Sequence, residues 1–520
     1  MSITSFVVTG SQLLAGRVEV IGNLSGVAPG GNYKIPLRLV YPTGTTNNCA
    51  IAEPWNSVGL DLYGVPTPAG MNSQTLASVC YNIAQLTYLV GGTPAALGYT
   101  YVTHEWSKWV VDLELAAGTA IPATAQALGA LPIPFDPTWT IPQGTDGNTI
   151  MADVSTFVRN PLAFNPFNLL PPPPVNTKVI GFGFSQVGQL MRGFASQLLN
   201  SGLGVGFPNG LVYEAILAVV CGALTRVQTN IAPGFNTNPF FYGATAPSEG
   251  VFINLSSEME LLGNEGFRAR ADDVVNPHYR TFEMAGVAHV SGDLAAAQLA
   301  IMRNPTFQRP VHRGMFAAIL AKIDAATALP ASANLDGTEA LRATPVFAGA
   351  NATSYITALA FGGWTSVNTF TGVVSNDDGN FLGGVRLPHL RTTLLNGQAV
   401  GAPLGTYRGA WIPTLTIPGQ TVANAGQITP SITGRFAPFL RLQLNNGILS
   451  PWDPQLLDAR YRTAGEYATF VGQAADYALE QRWITALDRD EFVATAATVT
   501  KQQILDSGLR RLVPPTPIAC

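Results

Sequence analysis

Residues 178–199 read KVIGFGFSQVGQLMRGFASQLL. Seven strand-like residues pass, without a turn cluster, into a stretch where Val187, Leu190, Met191, Phe194 and Leu198 recur at helical spacing. A strand that becomes a helix within one or two residues must reverse sharply, and small residues at the joint let the backbone do so. Such a joint belongs to layered α/β architecture rather than to a bundle or a sandwich.

The surrounding chain repeats the alternation. RVEVIGNL, YKIPLRLVYP, NCAIAEPWNS, GYTYVTHEW, KVIGFGF, GVFINL and YRTFEMAG read as strands, and SQTLASVCYNIAQL as a further helix. Strands alternating with helices predict a mainly parallel sheet covered on both faces. PPPP at 171–174 is a stiff lead-in to the strand at 178. From about residue 330 the texture changes. ALPASANLDGTEALRATP reads as a linker, 345–450 is rich in Gly, Pro, Asn and Thr, and charged amphipathic helices close the chain. The expected division is a core over 1–330 and an extension over 331–520 that packs on it and covers part of a cleft.

Composition excludes several partners. Only 12% of residues are charged and the net charge is -4, so no basic field exists for a phosphate backbone, and nucleic acid is not expected. The opening MSITSFVVTGSQLLAG lacks a cationic segment followed by a compact apolar one, and no run of about 20 apolar residues follows. Neither an export signal nor a membrane span is expected, and the cytoplasm is the default location. Cys49, Cys80, Cys221 and Cys520 are too scattered for a disulfide scaffold and read as buried thiols; a Cys49–Cys80 bridge stays open for an exported protein.

Ser185 stands at the sharp joint. A side chain at that apex is lifted out of the sheet edge, and the first amides of the helix point at any oxygen that becomes negative beside it. The local pattern is G-F-S-Q-V-G, with the second glycine one place later than in G-x-S-x-G. A serine here also serves as an ordinary helix cap. A nucleophilic serine needs a base, and five histidines exist: His104, His278, His289, His312 and His389. His289 follows a strand and a glycine turn at the same sheet edge. His278 precedes that strand and falls at its opposite end. His312, after Pro310, looks like a cap or surface contact, His104 a core histidine and His389 a loop hydrogen bonder. For the acid that orients the base, Glu258 comes first after the strand GVFINL, ahead of Glu260 and of Asp272 and Asp273 in a polar loop.

These segments resemble the α/β-hydrolase-domain family of long single-chain proteins. GFSQVGQLMRGF is similar to its serine elbow, NLSSEME to its acid segment and FEMAGVAHVSGD to its A-G-x-x-H segment, and the likeness runs through nearly all of 30–500. Val187, Gln189 and Met259 depart from the family pattern without touching the three catalytic groups. The resemblance implies an α/β-hydrolase fold and a serine hydrolase with Ser185 as nucleophile, Glu258 as acid and His289 as base, the chain order of that fold. The oxyanion donors would be the Gln186 amide and one from EPWNS, Trp55 or Asn56. Trp106 and Trp109 of HEWSKW read as core or as pocket wall, and Asp377 and Asp378 of NDDGN as a turn rather than a metal site. The expected reaction is hydrolysis of a largely apolar or aromatic small-molecule ester, with no cofactor. Lactone, amide or lyase chemistry on the same triad, and a non-catalytic binding role, are the alternatives.

Overall fold

The computed structural model describes residues 2–55, 97–118, 131–142, 147–164, 171–184, 186–196, 199–207, 209–220, 225–226, 235–236, 250–258, 277–288, 308–335, 383–389, 392–395, 398–408, 416–417, 420–421, 435–438, 441–445, 448–453 and 455–505. Nine strands form one sheet: β1 (Ile3–Leu14), β2 (Arg17–Ala28), β3 (Gly31–Pro42), β4 (Cys49–Pro54), β5 (Thr100–His104), β6 (Lys178–Phe184), β7 (Ala215–Val219), β8 (Val251–Ser256) and β9 (Tyr279–Glu283). Their spatial order is β1-β2-β3-β5-β4-β6-β7-β8-β9. The first three pair antiparallel, β3 is antiparallel to β5, and from β5 to β9 every neighbour is parallel. All seven strand readings above fall on strands. β1 and β7 were not foreseen.

Side chains of the parallel strands alternate between two apolar clusters. Ile180, Phe182, Phe184, Leu217 and Ile253 enter one, and Val179, Ile216, Ala218 and Phe252 the other. The second face is covered by α1 (Lys108–Ala117), α2 (Gly147–Arg159) and α3 (Gln186–Ser196). The α3 stripe foreseen from spacing is buried at Val187, Leu190, Met191 and Phe194, while Leu198 lies outside the described residues. A buried ion pair at 2.9 Å joins Arg159 at the end of α2 to Glu214, whose other oxygen accepts the Val179 amide at 2.6 Å. It ties the starts of β6 and β7 to α2, which fixes the strand that leads to Ser185.

The first face packs against α4 (Arg309–Ala325) and the C-terminal chain. Leu387, Leu404, Tyr407, Leu457, Tyr461, Val471, Ala475 and Trp483 share one apolar cluster with β6 to β9. The cluster includes residues of α5 (Ala464–Glu480) and α6 (Ala486–Thr498). Arg313 of α4 pairs at 2.9 Å with Asp488, the residue that completes the capping box of α6. The start of the expected linker does not hang free. Residues 328–335 run beside β9, with Ala333 bonded to Thr281 and Glu283, and Leu329 and Leu335 buried. Its apolar residues draw it onto the sheet edge.

Cys49 is a buried free thiol, its pKa pushed up to about 12 by burial. Cys80, Cys221 and Cys520, and the stretch SQTLASVCYNIAQL, lie outside the described residues.

Candidate active site

β6 ends at Phe184 and α3 begins at Gln186, with a single position between them in the sequence. The turn is tight. A Cβ built on Gly183 would lie 2.5 Å from the Val187 carbonyl oxygen and 2.8 Å from the Gly188 nitrogen, closer than any side-chain carbon tolerates. The first turn of α3 thus folds back onto the strand it came from, and only glycine admits the approach. The Gln186 amide, at the first helical position, has no acceptor within its own helix. Ser185 itself and the Gln186 side chain lie outside the described residues.

Parallel strands deliver their following loops to one edge. Trp55 and Asn56 follow β4, Ser185 follows β6, Glu258 is two residues past β8, and His289 is six past β9. Trp55 and Glu258, the two of these within the described residues, leave the carboxyl edge, where open α/β sheets hold their ligands. Of the three triad candidates, Glu258 lies within the described residues and His289 outside them. Glu258 is fully buried. One of its carboxylate oxygens accepts the Gly286 amide at 2.6 Å, and its own amide donates to the Val287 carbonyl at 3.2 Å. Gly286 takes a left-handed φ of 64°, which turns its amide toward the acid. The acid is thereby bonded to Gly286 and Val287, the latter two positions before His289 in the sequence. Asn56, Glu260, Asp272, Asp273, Asp377 and Asp378 also lie outside the described residues.

The oxyanion assignment needs one correction. The Trp55 amide donates to the His104 carbonyl at 2.9 Å, extending the β4–β5 ladder, and its carbonyl accepts the Trp106 indole at 2.7 Å. Both backbone groups of Trp55 are committed, so its amide is not offered to a substrate. Trp106 is a core residue, fully buried; the Trp109 side chain lies outside the described residues.

The remaining histidines behave as follows. His278 is half-buried immediately before β9, at the far end from the site as expected. His104 is buried, and burial lowers its pKa to about 4. His389 packs on Tyr407 with ring centroids 4.8 Å apart. His312 departs from the surface role expected of it. It is 1% exposed in the first turn of α4, its ring centroid 6.5 Å from those of Phe182 and Phe184, and burial lowers its pKa to about 3. Its place after Pro310 at a helix start suggested a cap or surface contact, but α4 packs against the first face of the sheet and the C-terminal chain.

Two buried polar residues were not singled out. Glu53 on β4 faces Thr103 in register and accepts a hydrogen bond from Tyr101 at 3.2 Å, and burial raises its pKa well above the ordinary value. A lone Glu in the apolar run CAIAEP was its signal. Gln308, at the start of α4, donates to the Ala288 carbonyl, and nothing in the local sequence marks it. Among the described residues no group of three or more His, Cys, Asp or Glu stands ready to hold a metal ion, and no helix is long and apolar enough to cross a membrane.

Residues 137–494 match a family model described as an alpha/beta hydrolase domain. No curated protein matches the sequence. Similar solved structures include a glucuronoyl esterase from Solibacter usitatus, 12% identical, with 51% of this chain and 74% of that chain covered and a TM-score of 0.27. An esterase from Pyrobaculum calidifontis is 9% identical over 59% of this chain and 86% of that one, with a TM-score of 0.28. A bacterial brefeldin A esterase is 10% identical over 46% and 60%, with a TM-score of 0.24.

Proposed function

Since the chain belongs to the alpha/beta hydrolase domain family, we propose that it hydrolyses carboxylic esters of largely apolar or aromatic small molecules, with Ser185 as nucleophile, His289 as base and Glu258 as the acid that orients it. The observation that carries the reading is the bonding of buried Glu258 to Gly286 and Val287. It ties an acid that follows β8 to the loop bearing a histidine that follows β9. The one-residue joint at Ser185 supplies the matching nucleophile position.

In this reading His289 takes the Ser185 hydroxyl proton as the oxygen attacks the ester carbon. The tetrahedral oxyanion accepts from the Gln186 amide and from the Asn56 amide, the other of the two candidates once Trp55 is committed. Collapse breaks the carbon–oxygen bond of the ester, and the leaving alkoxide takes the proton from His289. Water then gives a proton to His289 and attacks the acyl-serine; the acid leaves, and Ser185 regains its proton. Glu258 holds the imidazole and stabilises its charged form throughout. Residues 331–520 form part of the cleft wall, a reading supported by the bond of 2.9 Å from the Ala285 amide to the Val385 carbonyl.

A fluorophosphonate probe followed by peptide mass spectrometry tests the nucleophile. Labelling of Ser185 that vanishes in Ser185→Ala is the expected result; a folded protein that stays unlabelled defeats the reading. Hydrolysis in isotopically labelled water places the label in the acid product, which separates it from elimination.

A further inference from the structure

The approach to His289 is tied at every residue. The Met284 amide donates to Ser256 at 2.8 Å and the Ala285 amide to Val385 at 2.9 Å; Gly286 and Val287 are held by Glu258. The last tie comes from a side chain. Gln308, fully buried just before α4, donates its Nε2 to the Ala288 carbonyl. A peptide unit is planar, so the oxygen of Ala288 and the Cα of His289 lie in one plane. Whatever holds that oxygen constrains the peptide plane through which the chain passes from Ala288 to the next residue. We infer that Gln308 is a positioning residue for the general base, a role that rests on the proposed hydrolysis. It acts through the Ala288–His289 peptide and does not touch substrate. Without the amide donor the buried Ala288 carbonyl turns toward another partner, and the peptide that leads into His289 turns with it.

Gln308→Met keeps the length and removes the donor; Gln308→Glu keeps the length and donates only when its carboxyl is protonated. Both are compared with the unchanged protein for hydrolysis of p-nitrophenyl acetate across pH, for the rate of fluorophosphonate labelling, and for melting temperature. Gln308→Met is expected to lower kcat by about 10- to 100-fold, since a shift of about 1 Å in a catalytic group has that effect. KM should stay within about two-fold, labelling should slow by the same factor as kcat, and the acid limb of the kcat/KM profile should move to lower pH as imidazolium loses its alignment with Glu258. Gln308→Glu should match the Met variant at alkaline pH and regain activity, relative to the unchanged protein at each pH, as its carboxyl protonates. Unchanged kcat, labelling and acid limb, with only the melting temperature lowered, overturn the inference. If Gln308→Met does not fold, the relative recovery of Gln308→Glu decides alone, and its absence overturns it. Failure of the unchanged protein to be labelled or to turn over is a separate result: it removes the hydrolase reading, and the inference with it.

Discussion

Two ends of the same sheet edge treat buried polarity in opposite ways. Beyond β8 and β9, Glu258 is buried among backbone amides, and each residue from Met284 to Ala288 has a partner outside its own loop. At the ends of β4 and β5, the Trp55 indole nitrogen, one oxygen of Glu53 and Nε2 of His104 are buried with no hydrogen-bond partner among the described residues. A partnered carboxylate keeps its charge and a fixed direction, whereas a buried group short of partners reaches its lowest energy by giving up charge. The first arrangement suits an acid that must orient a base. The second suits groups that serve by staying neutral, as the raised pKa of Glu53 and the lowered pKa of His104 indicate.

The contrast breaks most readily at Glu258. Glu258→Gln retains an acceptor for the Gly286 amide, so the fold should stand while kcat falls about 10³- to 10⁴-fold, as for other triad acids converted to amides. A smaller loss in steady-state kinetics means that the base is oriented by something else. Gly183→Ala forces a carbon against the Val187 carbonyl. Denaturant unfolding should show about 2–4 kcal/mol of lost stability, and labelling of Ser185 should slow. An unaltered unfolding curve would mean that the joint is looser than its geometry.

Glu53 sharpens the other side. Its folded-state pKa lies above the ordinary value, so the unfolded chain ionises first as pH rises through about 4.5, and stability is lost from there up to the folded-state pKa. Glu53→Gln removes that loss. The variant should gain stability over the unchanged protein with rising pH, by at most about 1.4 kcal/mol per pH unit; parallel stability curves would show that the carboxyl ionises in place. The smallest effect is expected at His312. Its pKa is lowered, so the unfolded chain binds its proton first and stability falls as pH drops below about 6.5. His312→Leu should flatten that acid decline in thermal melts and alter kcat less than about three-fold, because His312 packs on Phe182 and Phe184 rather than on the reacting atoms.

Much of the frame was legible because strand residues between turns leave a strong local signal. β6 and α3 were read from one continuous stretch, and Ser185 and Glu258 from their positions just past strand ends. β7 escaped because Ala-Ile-Leu-Ala-Val carries two alanines and no polar alternation, so a five-residue strand buried on both faces has no period to read. β1 escaped because the opening residues were weighed only as a leader, although ITSFVVTGSQLL is rich in strand formers. Trp55 was placed by its proximity to the site, and only the ladder shows that its amide is spent. His312 and Gln308 meet residues remote in sequence, Phe182 and Phe184 for the ring and Ala288 for the amide, and no local pattern marks those contacts.

The path of the chain beside β9 also bears on how the molecule comes apart. β9 is the last strand of the sheet, yet its outer edge is occupied: Ala333 bonds to Thr281 and Glu283, and Val385 to Glu283 and Ala285. The segments that seal it come from beyond the core region expected to end at residue 330. Peeling them away would uncover a row of backbone donors and acceptors and open the apolar cluster beneath α4 in the same motion. Heating should then give one calorimetric transition, with no early step for the C-terminal part, and cleavage between 335 and 383 should leave the fragments associated until the sheet itself melts.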